Sequence, residues 1–384
     1  MIHLLLAIIY LSFISLGLPD ALLGAAWPTI YPQFGVPVSA SGIIFITISA
    51  GTVASSLMSD RLTRRFGPGP VTAVSTALTA AALFGFASCD SFWMLWLWAI
   101  PYGLGAGGVD ASLNNYVALH YESHHMSWLH CMWGIGAAVG PYIMGAVLTA
   151  GQPWNMGYVT VGIIQAVLVT ALFLSLPLWK DAGHSEAPAD SKPLTFREIF
   201  AIPGAREILI AFFCYCALEQ TAGLWASSYL VLNRGMDETA AAGFAGMFYL
   251  GITIGRFING FIAMRLSDHT MIRMGLGIIG AGMALLLIPG GEITALIGLV
   301  VIGLGCAPIY PCIIHSTPDH FGAENSQALI GVQMASAYMG NLLMPPLFGL
   351  IANHISIALY PVYLLALLAL MTWMHEQVLR KTVH

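Results

Sequence analysis

Long apolar runs recur from one end of the chain to the other, and short polar stretches between them hold most of the charge. A helix needs about 20 mostly apolar residues to cross the hydrocarbon core of a bilayer. Helices also satisfy their own backbone hydrogen bonds, which lipid cannot do. Charged residues make up 8% of the chain, against roughly 25% in soluble domains. The sequence therefore predicts an all-α protein that crosses a membrane many times, with too few basic residues for a nucleic-acid surface.

Twelve of these runs are long enough to span a bilayer. The first, MIHLLLAIIYLSF and onward, lacks the basic start and the small-residue cleavage site of a signal peptide, so we interpret it as a span. The predicted spans are 4–30, 38–59, 69–88, 92–119, 127–150, 154–178, 207–231, 239–264, 271–289, 293–317, 326–351 and 355–378.

The basic residues favour one orientation of these spans. Of the 13 Lys and Arg residues, Arg234 lies on one side and Arg256 lies inside a span, which leaves eleven on the opposite side. Loops rich in Lys and Arg face the cytoplasm. Both chain termini are therefore expected in the cytoplasm. The eleven residues are Arg61, Arg64, Arg65, Lys180, Lys192, Arg197, Arg206, Arg265, Arg273, Arg380 and Lys381.

One long polar stretch, KDAGHSEAPADSKPLTFREIF, divides the chain near its middle. It predicts an N-terminal six-helix half at 1–180, a cytoplasmic linker at 181–205 and a C-terminal six-helix half at 206–384.

The two halves also resemble each other at a spacing near 200 residues. GLG at 103–105 returns at 303–305, and Gly51 matches Gly255 at a spacing of 204. Repeated halves with a binding site at the midplane between them are typical of transporters.

Most acidic residues lie in loops or at the ends of predicted spans, but Asp20, Asp110 and Glu219 lie well inside them. An ionised side chain at the bilayer centre costs at least about 2.5–3.5 kcal/mol on insertion scales. Such a group persists where it faces a wet cavity, pairs with another charge or binds protons. We predict that these three acids couple transport to a proton or another cation.

Polar and aromatic side chains accompany the three acids at helical spacing. Asp110 and Asn114 are four residues apart and share one helix face. Amides can bind the hydroxyl groups of a neutral solute, and tryptophan rings can stack on its apolar faces. The predicted substrate-binding residues are Asn114, Asn115, His130, Gln220, Trp27, Trp133 and Trp225.

Residues 56–67, SLMSDRLTRRFG, resemble the loop signature G-x-x-x-D-R-x-G-R-R/K of the major facilitator superfamily. Asp60, Arg61, Arg64 and Arg65 match it, and Ser56 and Thr63 replace its glycines. A carboxylate near a helix N-terminus, bridged by arginines, can hold one conformation closed. The resemblance implies that these four charged residues form a gating motif.

Four spans resemble the fucose–proton symporter family more closely, and one of them, GLGCAPIYPCIIHSTPDHFG, resembles its tenth span. GVDASLNNYV resembles its fourth span, G-x-E-x-x-x-N, which puts Asp110 at the coupling acid and Asn114 at the asparagine. SLGLPDALLGAAWP resembles its first span, with Asp20 at the essential acid. MSWLHCMWGIGAAVGP resembles its fifth, L-x-Q-x-x-x-x-G-x-x-x-G-P, with His130 in place of the polar amide.

These resemblances imply the major facilitator fold, with twelve transmembrane helices in two pseudo-symmetric halves. They imply a proton-coupled symporter for a small neutral solute, a sugar above all, without enzymatic activity and without a cofactor beyond the coupling ion. We expect a monomer in the inner (cytoplasmic) membrane, surrounded by lipid.

Other interpretations stay open. Acids, aromatics and 18 methionines would also suit a proton-coupled drug exporter of the same fold, and the coupling ion could be sodium. A sensor or scaffold is disfavoured by the short loops. HYESHH at 120–125 resembles a histidine box of membrane di-iron enzymes, but the other histidines are scattered, so we predict no metal site. Arg256 is expected to pair with an acid, to pack, or to bind an anionic substrate.

Overall fold

The computed structural model describes residues 2–20, 22–37, 40–181, 194–236, 238–288 and 291–382. These residues form sixteen α-helices and one short 3-10 helix, with no strand among them. Residues 182–193 of the predicted linker lie outside the described residues. The helices are α1 (Ile2–Gly17), α2 (Leu22–Gln33), α3 (Ser41–Phe66), α4 (Pro68–Ala87), α5 (Phe92–His120), α6 (Ser123–Thr149), α7 (Asn155–Asp181), α8 (Phe196–Ala201), α9 (Ala205–Arg234), α10 (Glu238–Ile262), α11 (Asp268–Leu287), α12 (Glu292–Cys306), α13 (Ile309–His315), α14 (Thr317–Phe321), α15 (Ala323–His354) and α16 (Tyr360–Thr382).

Within the described residues, ten helical stretches are long and apolar enough to cross a membrane. One of them, Leu4–Gln33, comprises α1 and α2, and another, Glu292–His315, comprises α12 and α13. The other two predicted spans correspond to α5, which carries Asp110, and to α10, whose apolar part is Gly246–Ile262. Each of the twelve predicted spans therefore corresponds to helical structure, and the predicted all-α fold is confirmed.

Proline interrupts two of these spans. α1 ends at Gly17 and α2 begins at Leu22, with turns at residues 18–20 around Pro19. Pro308 separates α12 from α13 in the same way. Proline lacks the backbone N–H and clashes with the preceding turn, so the helix opens there. The first break places Asp20 at an open turn of the backbone.

α3 is longer than predicted, because it continues through the charged motif to Phe66 instead of ending at residue 59. Arg64 Nε donates to Asp60 Oδ1 over 2.7 Å, an i,i+4 bond along the same helix. Pairs of this kind favour helix at an exposed end. The helix ends before Gly67, whose positive φ of 82° is favourable for glycine. The Gly67 N–H donates a hydrogen bond to the Thr63 carbonyl and so caps the last turn.

Glycines let neighbouring helices pack backbone against backbone at matching positions of the repeat. A Cβ added to Gly103 on α5 would lie 2.3 Å from the carbonyl oxygen of Ile48 on α3. A Cβ added to Gly303 on α12 would lie 2.2 Å from the carbonyl oxygen of Phe248 on α10. Ile48 and Phe248 are 200 residues apart, as are Gly103 and Gly303. The same spacing of 200 residues relates two further pairs of contacts. Gly105 lies against Ser75, and Gly305 lies against Gly275. Gly51 lies against Leu104, and Gly251 lies against Leu304.

These contacts, which we call the glycine seams, confirm the internal repeat and correct one detail of it. The structural counterpart of Gly51 is Gly251, at a spacing of 200, and not Gly255 at 204. Gly255 instead faces Ala307, one turn further along α10. A spacing of four residues is close to one helical turn, which is why the two glycines are easily confused in the sequence.

Replacing Gly140 with alanine is expected to destabilise the protein, because the new Cβ would lie 2.0 Å from the Leu18 carbonyl oxygen. Overpacking of this kind typically costs about 1–3 kcal/mol. Gly145→Ala, on the same helix, is the matched control, since nothing lies within 4 Å of its Cβ. Thermal unfolding in detergent measures the difference. Equal unfolding temperatures for the two variants would contradict the close contact between α6 and residue 18.

The described chain divides into two compact units. The first comprises Met1–Tyr116 and Leu129–Pro193, and the second comprises Val117–Trp128 and Leu194–His384. The first unit has an apolar core of aliphatic and aromatic side chains, among them Leu22, Phe86 and Trp154. In the second unit α9 packs against α15 and α16, with the rings of Tyr215 and Tyr360 fully buried.

A pH effect on stability is expected from three neighbouring histidines of the second unit. The rings of His269 and His320 are 4.9 Å apart, and those of His269 and His375 are 6.3 Å apart. Burial, with repulsion from His269, lowers the pKa of His320 to about 4, from an ordinary value of 6.5. Between pH 6.5 and 4, His320 therefore binds a proton in the unfolded chain but stays neutral in the folded chain. The free energy of unfolding is expected to fall as the pH drops from about 6.5 towards 4.

Melting curves in detergent at pH 7.5 and pH 5 test this expectation. His320→Gln should lose less stability between the two pH values than the unmodified protein. His354→Gln, at an exposed position near the end of α15, should behave like the unmodified protein. The same loss in all three proteins would show that His320 does not control this pH dependence.

Candidate functional site

Asp20 lies at the break between α1 and α2 and is exposed. Its Oδ2 accepts a hydrogen bond from Trp133 Nε1 on α6 over 2.9 Å. Its Oδ1 accepts one from the Tyr102 hydroxyl on α5 over 3.1 Å. One carboxylate therefore connects three segments of the first unit and keeps an accessible surface for a further partner. Trp133 was predicted for this site, whereas Tyr102 was missed.

Asp110 and Asn114 share one face of α5, as their spacing predicted. Asn114 Nδ2 donates to Asp110 Oδ1 over 2.8 Å and to the Asp110 carbonyl over 2.9 Å. Asn114 Oδ1 lies 3.1 Å from Nε2 of His130 on α6. The ring of His130 also meets the Phe13 ring edge-on at 5.5 Å. These contacts form a network, which we call the Asp110–Asn114–His130 network, and its three members are at most 5% exposed.

The two acids of the first unit thus have different surroundings. Asp20 is exposed and accepts hydrogen bonds from two aromatic side chains, and Asp110 is buried and bonded to an amide. They are near enough for their negative charges to repel each other. Of the remaining predicted residues here, Asn115 is 6% exposed. Trp27 is also 6% exposed and packs edge-on against Phe92.

In the second unit, Glu219 pairs with Arg256. Arg256 Nη2 lies 3.7 Å from Glu219 Oε2, and the Arg256 side chain is 6% exposed. The Tyr215 hydroxyl donates to the same carboxylate and lies 2.9 Å from the Cys306 carbonyl oxygen. The pairing supports the interpretation that Arg256 neutralises an acid. Removing one partner of a buried ion pair strands the other charge, so each member stabilises the other.

The other predicted residues of the second unit lie on the same helix. Gln220 is half-buried next to Glu219 on α9. Trp225 donates its Nε1–H to the Pro345 carbonyl over 3.0 Å and packs edge-on against Phe348.

In the predicted gating motif, the charged residues lie on the last turns of α3. Asp60 is buried and bonded to Arg64. Its second oxygen, Oδ2, is buried without a hydrogen-bond partner among the described residues. Arg61 and Arg65 are exposed, and Arg65 lies over the Phe66 ring at 5.2 Å. One carboxylate oxygen thus remains available for a donor in another conformation.

A further polar cluster joins the segment Val117–Trp128 to the helices of the second unit. His315 Nδ1 lies 2.6 Å from Asp268 Oδ2, and His315 Nε2 lies 3.0 Å from the Tyr121 carbonyl oxygen. Ser123 Oγ donates to the other oxygen of Asp268. Both ring nitrogens face acceptors, an arrangement fully satisfied when both carry protons. Sequence reasoning missed this cluster, although SDH at 267–269 closely follows Arg265, one of the eleven basic residues on the predicted cytoplasmic side.

A bundle of apolar helices with two proline breaks, repeated glycine seams and buried charges is typical of a multi-pass membrane transporter. The model of the Major Facilitator Superfamily matches residues 9–296 and again 208–379. The chain belongs to this superfamily.

Three curated relatives span most of the chain. "Bypass of stop codon protein 6" of Saccharomyces cerevisiae is 22% identical over 94% of this chain and 80% of its own length. "Sodium-dependent glucose transporter 1A" of Mus musculus is 21% identical over 90% of this chain and 89% of its own. "Glucose/mannose transporter GlcP" of Bacillus subtilis is 20% identical over 91% and 88%.

Solved structures share the fold over nearly the whole chain. The E. coli fucose:proton symporter FucP superimposes with a TM-score of 0.77 at 17% identity, over 97% of this chain and 98% of FucP. The proton:xylose symporter XylE superimposes with a TM-score of 0.78 at 12% identity, over 97% of this chain and 94% of XylE. At these identities the likeness concerns the fold, and it confirms the predicted resemblance to the fucose–proton symporter.

Proposed function

We propose that this protein is a secondary active transporter that moves a small neutral sugar across the membrane by alternating access, coupled to protons. The observation that carries the proposal is the exposed Asp20 carboxylate between Tyr102 and Trp133. Hydroxyl groups of a sugar can donate to such a carboxylate, and the sugar's apolar face can lie against an indole ring. Names of relatives that mention glucose or mannose support this substrate class.

Proton coupling is supported by the second, buried acid. An ionised Asp110 in the membrane interior is costly, so a change of conformation is favoured when this group is neutralised. Binding a proton removes the charge and lets the loaded carrier reorient. Arg256 already neutralises Glu219, so we assign coupling to the first unit, with Asp110 as the acid that binds the proton. The same pairing favours a neutral substrate, because Arg256 is paired with Glu219 and its charge does not serve an anionic substrate.

Orientation, membrane and oligomeric state are part of the same proposal. The eleven basic residues on one side favour cytoplasmic termini, and a short-looped bundle suits a monomer in the lipid of a cytoplasmic membrane. Asn114, Asn115, Gln220, Trp27 and Trp225 are proposed to contact the sugar in conformations that open the site.

Transport by purified protein in liposomes tests the function. Radiolabelled glucose, mannose, fucose and xylose are offered under an inward H⁺ gradient, an inward Na⁺ gradient or no gradient. Accumulation of one sugar under the H⁺ gradient alone supports the proposal. Accumulation under Na⁺ alone would replace the proton by sodium. Transport of a lipophilic cationic dye, with none of the sugars transported, would identify a drug exporter instead.

A further inference from the structure

His130 occupies a position at which its hydrogen bonds determine where its proton lies. Asn114 directs its Nδ2 at two acceptors, the carboxylate and the carbonyl of Asp110. Its Oδ1 must then face His130 Nε2, which lies 3.1 Å away. An amide oxygen only accepts hydrogen bonds, so His130 Nε2 carries the hydrogen. Neutral His130 is therefore the Nε2–H tautomer, and its Nδ1 is the nitrogen that can accept a second proton.

A proton added at Nδ1 leaves the hydrogen bond to Asn114 in place. It also puts a positive charge two hydrogen bonds away from the Asp110 carboxylate. Opposite charges at short range favour each other's ionised forms, and both groups are at most 5% exposed. The pair can thus hold one proton in two ways, as neutral Asp110 with neutral His130, or as carboxylate with imidazolium. Both forms have zero net charge, and loss of the proton leaves a charge of −1.

We propose that His130 is a second proton-binding residue for transport, which holds the coupling proton jointly with Asp110. The inference rests on the proposed function, because it specifies how that transporter binds its coupling ion. Asn114 is a positioning residue that connects the two groups and does not itself take the proton. The pair titrates as a unit, with a higher proton affinity than Asp110 has alone.

The charged groups around the network allow this division of roles. From α5, Asp110 faces His130 through Asn114, and from α1 the apolar Phe13 ring packs on it. The other acid nearby is Asp20, whose charge repels that of Asp110. On α6 itself, Trp133 donates to Asp20 and not to the network. Asp20 is therefore left to bind substrate, while the buried pair binds the proton.

The proposal is tested with His130→Gln in liposomes, with sugar uptake measured as a function of external pH. Glutamine can still donate to Asn114 Oδ1, but it cannot take a proton. Its pH profile is expected to move about one unit towards acid, which is a tenfold weaker apparent proton affinity. His125→Gln, on the same helix, is the control and should leave the profile unchanged.

The outcomes separate this proposal from the proposed function. If the unmodified protein moves no sugar under any gradient, the function is wrong. If it shows proton-coupled uptake and His130→Gln has the same pH profile, the inference about His130 is wrong. Nitrogen NMR of ¹⁵N-histidine in the unmodified protein, with His130→Asn to assign the signal, reads the tautomer directly. A neutral His130 protonated at Nδ1 would overturn the proposal even if neither variant can be purified for transport.

Discussion

Replacing Asp110 with asparagine is expected to abolish proton-driven accumulation of the sugar and to spare exchange. Asparagine preserves the size of the side chain and its contact with Asn114, but it is permanently neutral and binds no proton. A pH difference of one unit corresponds to about tenfold, so one-to-one coupling can concentrate the sugar about tenfold inside liposomes. In Asp110→Asn the inside-to-outside ratio should fall to about 1, the value of simple equilibration.

The measurement is the steady-state sugar ratio in liposomes under a fixed pH gradient, followed by counterflow without a gradient. Asp90→Asn, an exposed acid between α4 and α5, serves as the matched control and should accumulate sugar normally. A variant Asp110→Asn that still accumulates sugar like the unmodified protein would rule out Asp110 as the coupling acid.

Loss of the Asp20 carboxylate is expected to weaken sugar binding strongly. Asp20→Ala removes the acceptor offered to sugar hydroxyls and leaves Trp133 Nε1–H and the Tyr102 hydroxyl without their shared partner. A hydrogen bond to a charged group contributes about 1.5–3 kcal/mol. One such bond corresponds to roughly 10- to 150-fold in the dissociation constant. Titration of the purified protein, followed by tryptophan fluorescence or calorimetry, measures the loss.

Two further variants show whether this effect belongs to the site. Tyr102→Phe removes one of the two hydrogen bonds to Asp20 and should weaken binding less than Asp20→Ala does. Asp319→Ala, at an exposed position on α14, should leave binding unchanged. Undiminished affinity in Asp20→Ala would place the sugar elsewhere in the protein.

Local spacing predicted the parts of the site that lie on one helix. Asp110 and Asn114 were expected to share a face because they are four residues apart, and they bond to each other. Asp60 and Arg64 bond at the same spacing. The break at Pro19 was also predictable, since proline acts on its own helix. The helical period alone is sufficient for Asp110 and Asn114, whereas the Asp60–Arg64 bond also requires α3 to continue beyond the predicted end at residue 59.

Contacts between distant segments were not predictable in this way. Asp20 is 82 residues from Tyr102 and 113 from Trp133. The only signal for Tyr102 was its position about two turns before Asp110 on the same span. His130 could be recognised as a polar residue but not as the partner of Asn114, since nothing local connects α5 with α6.

Burial of individual apolar residues was equally hard to read from the sequence. In a membrane protein, side chains that face lipid and side chains that face the protein core are both mostly apolar. Trp27 was predicted to contact substrate, and it packs against Phe92 at 6% exposure. Its contact with a sugar stays a prediction.

The glycine seams have a consequence for how such a protein can diverge after gene duplication. A seam residue touches the backbone of another helix, so any larger side chain there needs a simultaneous change in its neighbour. A site residue can change alone. The positions 200 residues after Asp110, Asn114 and His130 are Tyr310, Ile314 and Ile330, so these three proposed proton-site residues are not repeated there, whereas the seam glycines are. The two repeats thus share their helix packing, and the residues that we propose to bind the proton lie in the first of them.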